Sequence, residues 1–249
     1  MHAIILADYA IADGGAPKVA IESARALAEI GVPVHYIHAV GAAGDALLDH
    51  PGISRVGLGL ADVWSQPLHK AAVNGIWSGA ARAKLESTLR RIARPDSVIH
   101  LHQWTKAFSP SAFAAVRAAG RPLAVTMHDY FIACPTGVFY RFDLQRPCEV
   151  GPLSLRCLTA RCDPRTTAHK AIRVARLLAQ RRALDGFAFD AVHVSDLGAR
   201  ILAPHLPANV VQHRIDNPVS IGRRPPATLG GDGRALYLGR FTIEKGAVI

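Results

Sequence analysis

An α/β fold, a parallel sheet flanked by helices, is what this sequence predicts, and three observations carry the prediction. Short uncharged runs such as Leu123-Ala-Val-Thr-Met127 have the length and β-branched content of strands buried on both faces. Between such runs lie segments with apolar residues every three or four positions, as crossover helices require. Two of the runs stop abruptly at polar clusters, His128-Asp129 and His100 to Trp104. Ligands of open α/β sheets bind just outside the carboxyl ends of the strands, so function is expected at those stops.

Composition sets the limits. The chain has 249 residues, of which 50% are hydrophobic, so it can bury a real core as one large α/β domain or two small ones. No run of about 18 apolar residues appears, and His2-Ala-Ile-Ile-Leu-Ala7 enters a strand with no basic flank or cleavage site before it. A cytoplasmic protein without a transmembrane span is expected. The formal charge of +10 calls for an anionic partner, whether nucleic acid, a phosphorylated small molecule or an acidic membrane surface. Aromatic residues make up 6% of the chain and are almost absent from its densest basic stretches. Nucleic-acid readers interleave the two types, so no nucleic-acid partner is expected.

The elements follow in order. After the first strand, Gly14-Gly15-Ala-Pro17 leads into Val19, Ala20, Ala24, Leu27 and Ala28, whose spacing predicts a helix over 18–30 stopped by Gly31 and Pro33. The glycine pair lets the backbone approach a ligand, and free N–H groups at a helix start favour an anion such as a phosphate. The Gly-x-Gly-x-x-Gly spacing of dinucleotide sites is absent, and an ordinary strand-to-helix turn is the alternative. Val34 to Val40 completes a first βαβ unit. A short helix near 45–49, a strand over 53–58 and a helix over 79–94 come next. Trp64 and Trp77 flank a segment around Pro67 that has no readable period, and both are expected to pack.

Ser97 to His102 predicts another strand, in which alternation would place His100 and His102 on one face. No carboxylate follows at a spacing that would complete a metal site, so a structural or acceptor-pocket role is expected there. A helix over 109–119, capped by Ser109 with Pro110 just inside, precedes the central strand 123–127. At the end of that strand His128 and Asp129 either face a ligand or only cap a turn.

Residues 132–164 form a long stretch without period, of the sort that is functional or held by something. All four cysteines lie in or near it: Cys134, Cys148, Cys157 and Cys162, separated by 13, 8 and 4 residues. A structural four-cysteine zinc site, two disulfides or buried free thiols are the alternatives. A helix over 166–184 is marked by Ala168, Ala171, Ile172, Ala175, Leu178 and Ala179. Its Lys170, Arg173, Arg176, Arg181 and Arg182 make it basic, either as a solvated face or as a surface for an anionic membrane. Strands over 191–195 and 209–212, with a short helix over 196–203 between them, close a first domain over 1–215.

Asn217-Pro218 opens a change of texture. Residues 216–233, rich in Pro and Gly, predict an interdomain linker. Arg234-Ala-Leu-Tyr-Leu238 and Gly239-Arg-Phe-Thr-Ile-Glu-Lys-Gly246 predict the first strand and loop of a second domain over 234–249. A domain cannot end three residues past its first loop, so a truncated sequence is expected.

Taken in order, the Gly-Gly loop, the His100 to Trp104 cluster, Thr126-Met-His-Asp129, Asn217-Pro218 and Gly239-Arg240 with Glu244-Lys245-Gly246 resemble the GT-B glycosyltransferases. The resemblance is to their large retaining family 4 and covers essentially the whole chain. It implies two facing Rossmann-like domains, the first mainly for the acceptor and the second for the nucleotide sugar. By that resemblance Gly14, Gly15, Arg240 and Lys245 would hold the donor diphosphate, and His128 would act at the donor sugar beside the reacting centre. His102, Trp104, Asp129, Tyr130 and Asn217 would line the acceptor and donor pocket. The implied partners are a UDP- or GDP-type donor and a sugar or lipid-linked sugar acceptor, with peripheral contact at the inner membrane surface. No cofactor is needed for the chemistry. The family's donor-gripping pair of glutamates falls beyond the sequence, so the polypeptide as it stands is expected to be inactive. A non-catalytic anion- or nucleic-acid-binding Rossmann-like module is the competing class, and a sugar-nucleotide epimerase the competing enzyme.

Overall fold

The computed structural model describes residues 1–42, 44–219 and Tyr237. In chain order the elements are β1 His2–Tyr9, α1 Gly15–Glu29, β2 Val34–Val40, β3 Ile53–Leu60, α2 Leu68–Ile76, α3 Gly79–Ile92, β4 Ser97–Leu101, α4 Ser111–Ala119 and β5 Leu123–Met127. A two-residue hairpin follows, β6 Tyr140–Arg141 with β7 Arg146–Pro147. Then come α5 Leu155–Thr159, α6 Thr167–Leu184, β8 Asp190–His193, α7 Asp196–Leu202 and β9 Val211–Arg214.

Seven strands form one sheet in the order β3-β2-β1-β4-β5-β8-β9, and every neighbouring pair is parallel. The fold is a Rossmann-like α/β sheet flanked by helices. Parallel neighbours need crossovers, and the helices between the strands supply them. Alternation along β1 sends Ile4 and Leu6 to one face and Ala3, Ile5 and Ala7 to the other. The first face joins Leu85 and Leu89 of α3 with Phe113 and Val116 of α4. On the second, Ala20, Ile21 and Ala24 of α1 close a smaller core.

Local signals explain several ends. The α1 helix begins at Gly15, one turn earlier than its apolar period suggests, with Gly14 at the cap. Gly14 has φ 106°, a conformation that needs glycine. Gly120, at φ 61°, stops α4 in the left-handed conformation. Pro110, not Ser109, stands at the N-cap of α4, without a side-chain cap bond; Ser109 Oγ accepts from the backbone N–H groups of Ser111 and Ser78. The eighth strand ends at His193 because Ser195 is taken up in capping α7.

Three expectations need correction. The segment after Pro67 is helix α2, none of whose residues is buried; without a core-facing stripe it has no readable period. Trp64 does not pack away but is 43% exposed. The ninth strand runs over 211–214 instead of 209–212, since all four of its residues are exposed and no alternation marks its register.

Among the described residues no helix is long and apolar enough to cross a membrane. Most of the predicted linker 216–233 and of the second-domain segment 234–249, including Arg240, Glu244 and Lys245, lies outside the described residues.

Candidate functional site

The sheet order defines the site. From β1 the chain winds to β2 and β3 on one flank, then crosses to β4, β5, β8 and β9 on the other. The carboxyl ends of β1 and β4 therefore flank a topological switch point, where a crevice opens between diverging connections. Backbone pairing is maintained up to the rim: His102 N–H donates to Leu6 C=O at 2.9 Å.

Each side of the crevice brings a different chemistry. From β1 come Gly14 and Gly15 at the start of α1, whose first turn holds no acidic residue. The leading N–H groups of a helix lack intrahelical partners, and the helix dipole adds to their attraction for an anion. A Cβ built on either glycine meets nothing within 4 Å, so the space in front of the helix is open.

From β4 and β5 comes a chain of three imidazoles. His100 and His102 sit side by side with ring centroids 4.1 Å apart, on one face as alternation requires. His100 Nε2 bonds Thr126 Oγ1 at 2.7 Å, and His102 Nδ1 bonds His128 Nε2 at 3.0 Å. Burial pushes His100 and His128 down to about 4, and His102, enclosed and beside both, falls well below its ordinary value. All three are therefore neutral at pH 7, and in the His102–His128 contact one ring donates and the other accepts. Among the described residues no other hydrogen bond engages the half-buried His128 ring. His102 Nε2 and Gln103 Oε1 are buried without partners, an arrangement that native proteins rarely leave unexplained.

Two carboxylates lie near the same edge. Asp8, fully enclosed, accepts from the N–H groups of Lys106, Ala107 and Phe108 at 2.8, 3.0 and 3.2 Å. It holds the connection after β4 in place. Burial pushes Asp8 up to about 6 against the pull of those three donors. Asp129 is an exposed residue whose carboxylate accepts from Phe131 N–H at 3.0 Å. Burial of its carboxylate raises it to about 6, while the Phe131 N–H and the nearby Arg176 temper the rise. Asp8 escaped the sequence reading, although it ends an apolar strand run just as His128 does.

The remaining expected residues are distributed differently. Trp104 is 3% exposed, packs edge-on against Phe113 and donates Nε1–H to Gln180 Oε1 at 2.8 Å. It braces the core, because the turn after β4 carries its indole inward. Tyr130 is half-buried and packs edge-on against Phe139, 5.4 Å between centroids. Asn217 is exposed beyond the end of β9. Arg240 and Lys245 lie outside the described residues.

Three of the cysteines lie close together: burial raises the Cys162 thiol, with Cys134 and Cys157 near enough to push it the same way. All four thiols are free, and among the described residues no group of three or more His, Cys, Asp or Glu side chains is arranged to hold a metal ion. What holds the long loop is α6. Lys170 donates to Cys157 C=O and Ala160 C=O, and Arg176 to Pro135 C=O at 3.1 Å. Gln180 Nε2 donates to Phe131 C=O and Ile132 C=O, each at 3.1 Å. The basic helix thus turns Lys170 and Arg176, 2% and 9% exposed, into the protein. That part of it is neither a solvated face nor a membrane surface, because loop carbonyls need donors that the loop cannot supply.

What the fold brings together is therefore a Rossmann-like sheet whose switch point carries an open helix start and three buried imidazoles. No protein-family model matches the chain, and no curated protein matches it. Among solved structures it is similar to LpCGTa, crystallised in complex with UDP, with a TM-score of 0.46 and 11% identity. That match covers 88% of this chain and 54% of the other, so the chain spans about half the length of that structure. It is also similar to the RedJ thioesterase of the prodiginine biosynthetic pathway of Streptomyces coelicolor, with a TM-score of 0.28 and 14% identity over 74% of this chain and 82% of that one. Both likenesses are too distant to carry a functional assignment.

Proposed function

We propose that this chain forms the acceptor-side part of a retaining glycosyltransferase, which moves a hexose from a UDP- or GDP-type donor to a sugar or lipid-linked sugar. Cell-surface polysaccharide or glycoconjugate synthesis is the setting, with the protein cytoplasmic and in peripheral contact with the inner membrane surface. One observation carries the reading: an open helix start at Gly14-Gly15 and the His102–His128 pair occupy the same switch-point edge. The motif order in the sequence adds to it.

In this reading the bond between the donor sugar's anomeric carbon and the diphosphate oxygen breaks, the acceptor hydroxyl oxygen bonds to that carbon on the same face, and the departing diphosphate carries the negative charge and takes up the hydroxyl proton. Backbone N–H groups at the start of α1 meet that charge from one side. Arg240 and Lys245 meet it from the other, Arg as a planar fork and Lys as a point charge. Donors fixed in advance where charge develops lower the barrier without a metal. His128, held neutral, offers Nδ1 to a hydroxyl of the donor sugar and puts no competing positive charge beside the reacting carbon.

The test is release of free nucleoside diphosphate from a panel of UDP-, GDP- and ADP-sugars by the full-length protein, comparing wild type with Arg240→Ala and Lys245→Ala. Release with one donor, lowered at least about 100-fold in both variants, is the expected result. Release from none of the donors, with soluble and lipid-linked acceptors alike, would leave a non-catalytic anion-binding module in its place.

A further inference from the structure

We infer that the ridge formed by Trp64, α2, α5 and the first turn of α6 docks on an anionic lipid bilayer. Four large apolar side chains on these neighbouring elements face outward: Trp64 at 43%, Leu68 at 63%, Leu155 at 77% and Leu158 at 46% exposure. Scattered singly they would mean little, but here they sit on connected structure. Trp64 stacks on His169 of α6, ring centroids 6.5 Å apart. Leu68 shares a groove with Trp64 and His169. Lys170, the next residue of α6, ties down α5 through the carbonyls of Cys157 and Ala160.

Cations surround the apolar groups. The Arg165 guanidinium lies 3.8 Å from the Trp64 ring centroid and Lys106 Nζ lies 5.6 Å from it. Arg156 and Arg161 are exposed on and beside α5. Among the described residues none of these four has a carboxylate partner, while the nearby Asp163 is already paired with Arg173 at 3.2 Å and Asp62 accepts from the Tyr9 hydroxyl. A surface that mixes an indole, leucines and unpaired Lys and Arg matches the boundary between headgroups and acyl chains. The charge complementarity selects an anionic lipid leaflet as the occupant.

This rests on the membrane contact in the reading above and gives it an address, but it does not depend on sugar transfer. Absence of turnover would leave it standing, and absence of vesicle binding would leave turnover untouched.

The experiment is co-sedimentation of the protein with vesicles of phosphatidylcholine alone and of phosphatidylcholine with one-third phosphatidylglycerol, with Trp fluorescence read in parallel. Each basic residue near an anionic leaflet contributes roughly fivefold in affinity. Wild type is expected to favour the anionic vesicles and to blue-shift, a shift absent in Trp64→Phe. The double variants Lys106→Glu/Arg165→Glu and Leu155→Asp/Leu158→Asp should each lose at least about tenfold in binding. Arg181→Glu/Arg182→Glu, the same charge change at the far end of α6, should lose far less. Equal binding to both vesicle types, an equal loss in the α6 control, or no binding would overturn the proposal. So would concentration-dependent dimerisation abolished by the leucine variants, which would assign the ridge to a second copy of the chain.

Discussion

Gly14 and Gly15 look interchangeable as letters, yet their backbones ask for different things. Gly14, at φ 106°, holds a conformation that costs an alanine about 1–3 kcal/mol. Gly15 lies in the first turn of α1, outside the positive-φ glycines, and a Cβ there meets nothing within 4 Å. Gly15→Ala should therefore fold as well as wild type, or gain about 0.5 kcal/mol through the unfolded chain. Its methyl group would project into the space assigned to the donor diphosphate. The expected outcome is an unchanged or slightly raised denaturation midpoint together with at least a tenfold loss of nucleoside diphosphate release. Unchanged release by a well-folded Gly15→Ala would remove the close backbone approach from the mechanism. The pair was legible in the sequence; the φ values that separate the two were not, since they are set by how α1 docks on the sheet.

At the scale of elements, α6 shows where sequence reading succeeds and where it stops. Its apolar period identified the helix over nearly its full length, because burial of a stripe leaves a pattern of side-chain types. Its cations were legible as cations but not in their direction. The acceptors of Lys170, Arg176 and Gln180 are backbone carbonyls, which every residue carries and no sequence marks. The partner of Trp104 was hidden by distance along the chain, Gln180 lying 76 residues away. Four cysteines drew attention to the thiols of the loop, while the donors that reach its carbonyls come from one helix face. Lys170→Met keeps the length of the side chain and removes the donor, leaving the carbonyls of Cys157 and Ala160 unpaired. A loss of about 1–3 kcal/mol is expected, with faster proteolysis confined to the segment around α5. A Lys170→Met protein with wild-type stability and an equally resistant loop would show that Lys170 does not hold the segment around α5.

For the molecule as a whole, the sequence identified the parallel strands but not the place where their order reverses, because neighbour relations between distant strands leave no local mark. The reversal matters energetically as well as functionally, since it gathers buried titratable groups at one edge. His100 and His128 have folded pKa values of about 4 and His102 lies well below its ordinary value, against about 6.5 in the unfolded chain. Between those values the unfolded chain takes up protons that the folded one refuses, so their contribution is full above pH 6.5 and is lost as the pH falls. Asp8 and Asp129 act in the opposite sense. Raised to about 6, they hold protons in the folded state that the unfolded state has released, which adds stability as the pH falls from 6 toward 4. Three imidazoles outweigh two carboxylates, one of which faces solvent, so wild type should lose stability on acidification between pH 6.5 and 4. The slope near pH 5 should correspond to about one net proton taken up on unfolding. Chemical denaturation at a series of pH values measures it directly. His128→Gln, which keeps a hydrogen-bonding partner for His102, removes one refused proton and should bring that slope close to zero. If the variant keeps the wild-type slope, His128 is not held neutral, and a charged imidazole would then stand where the proposed chemistry requires an uncharged one.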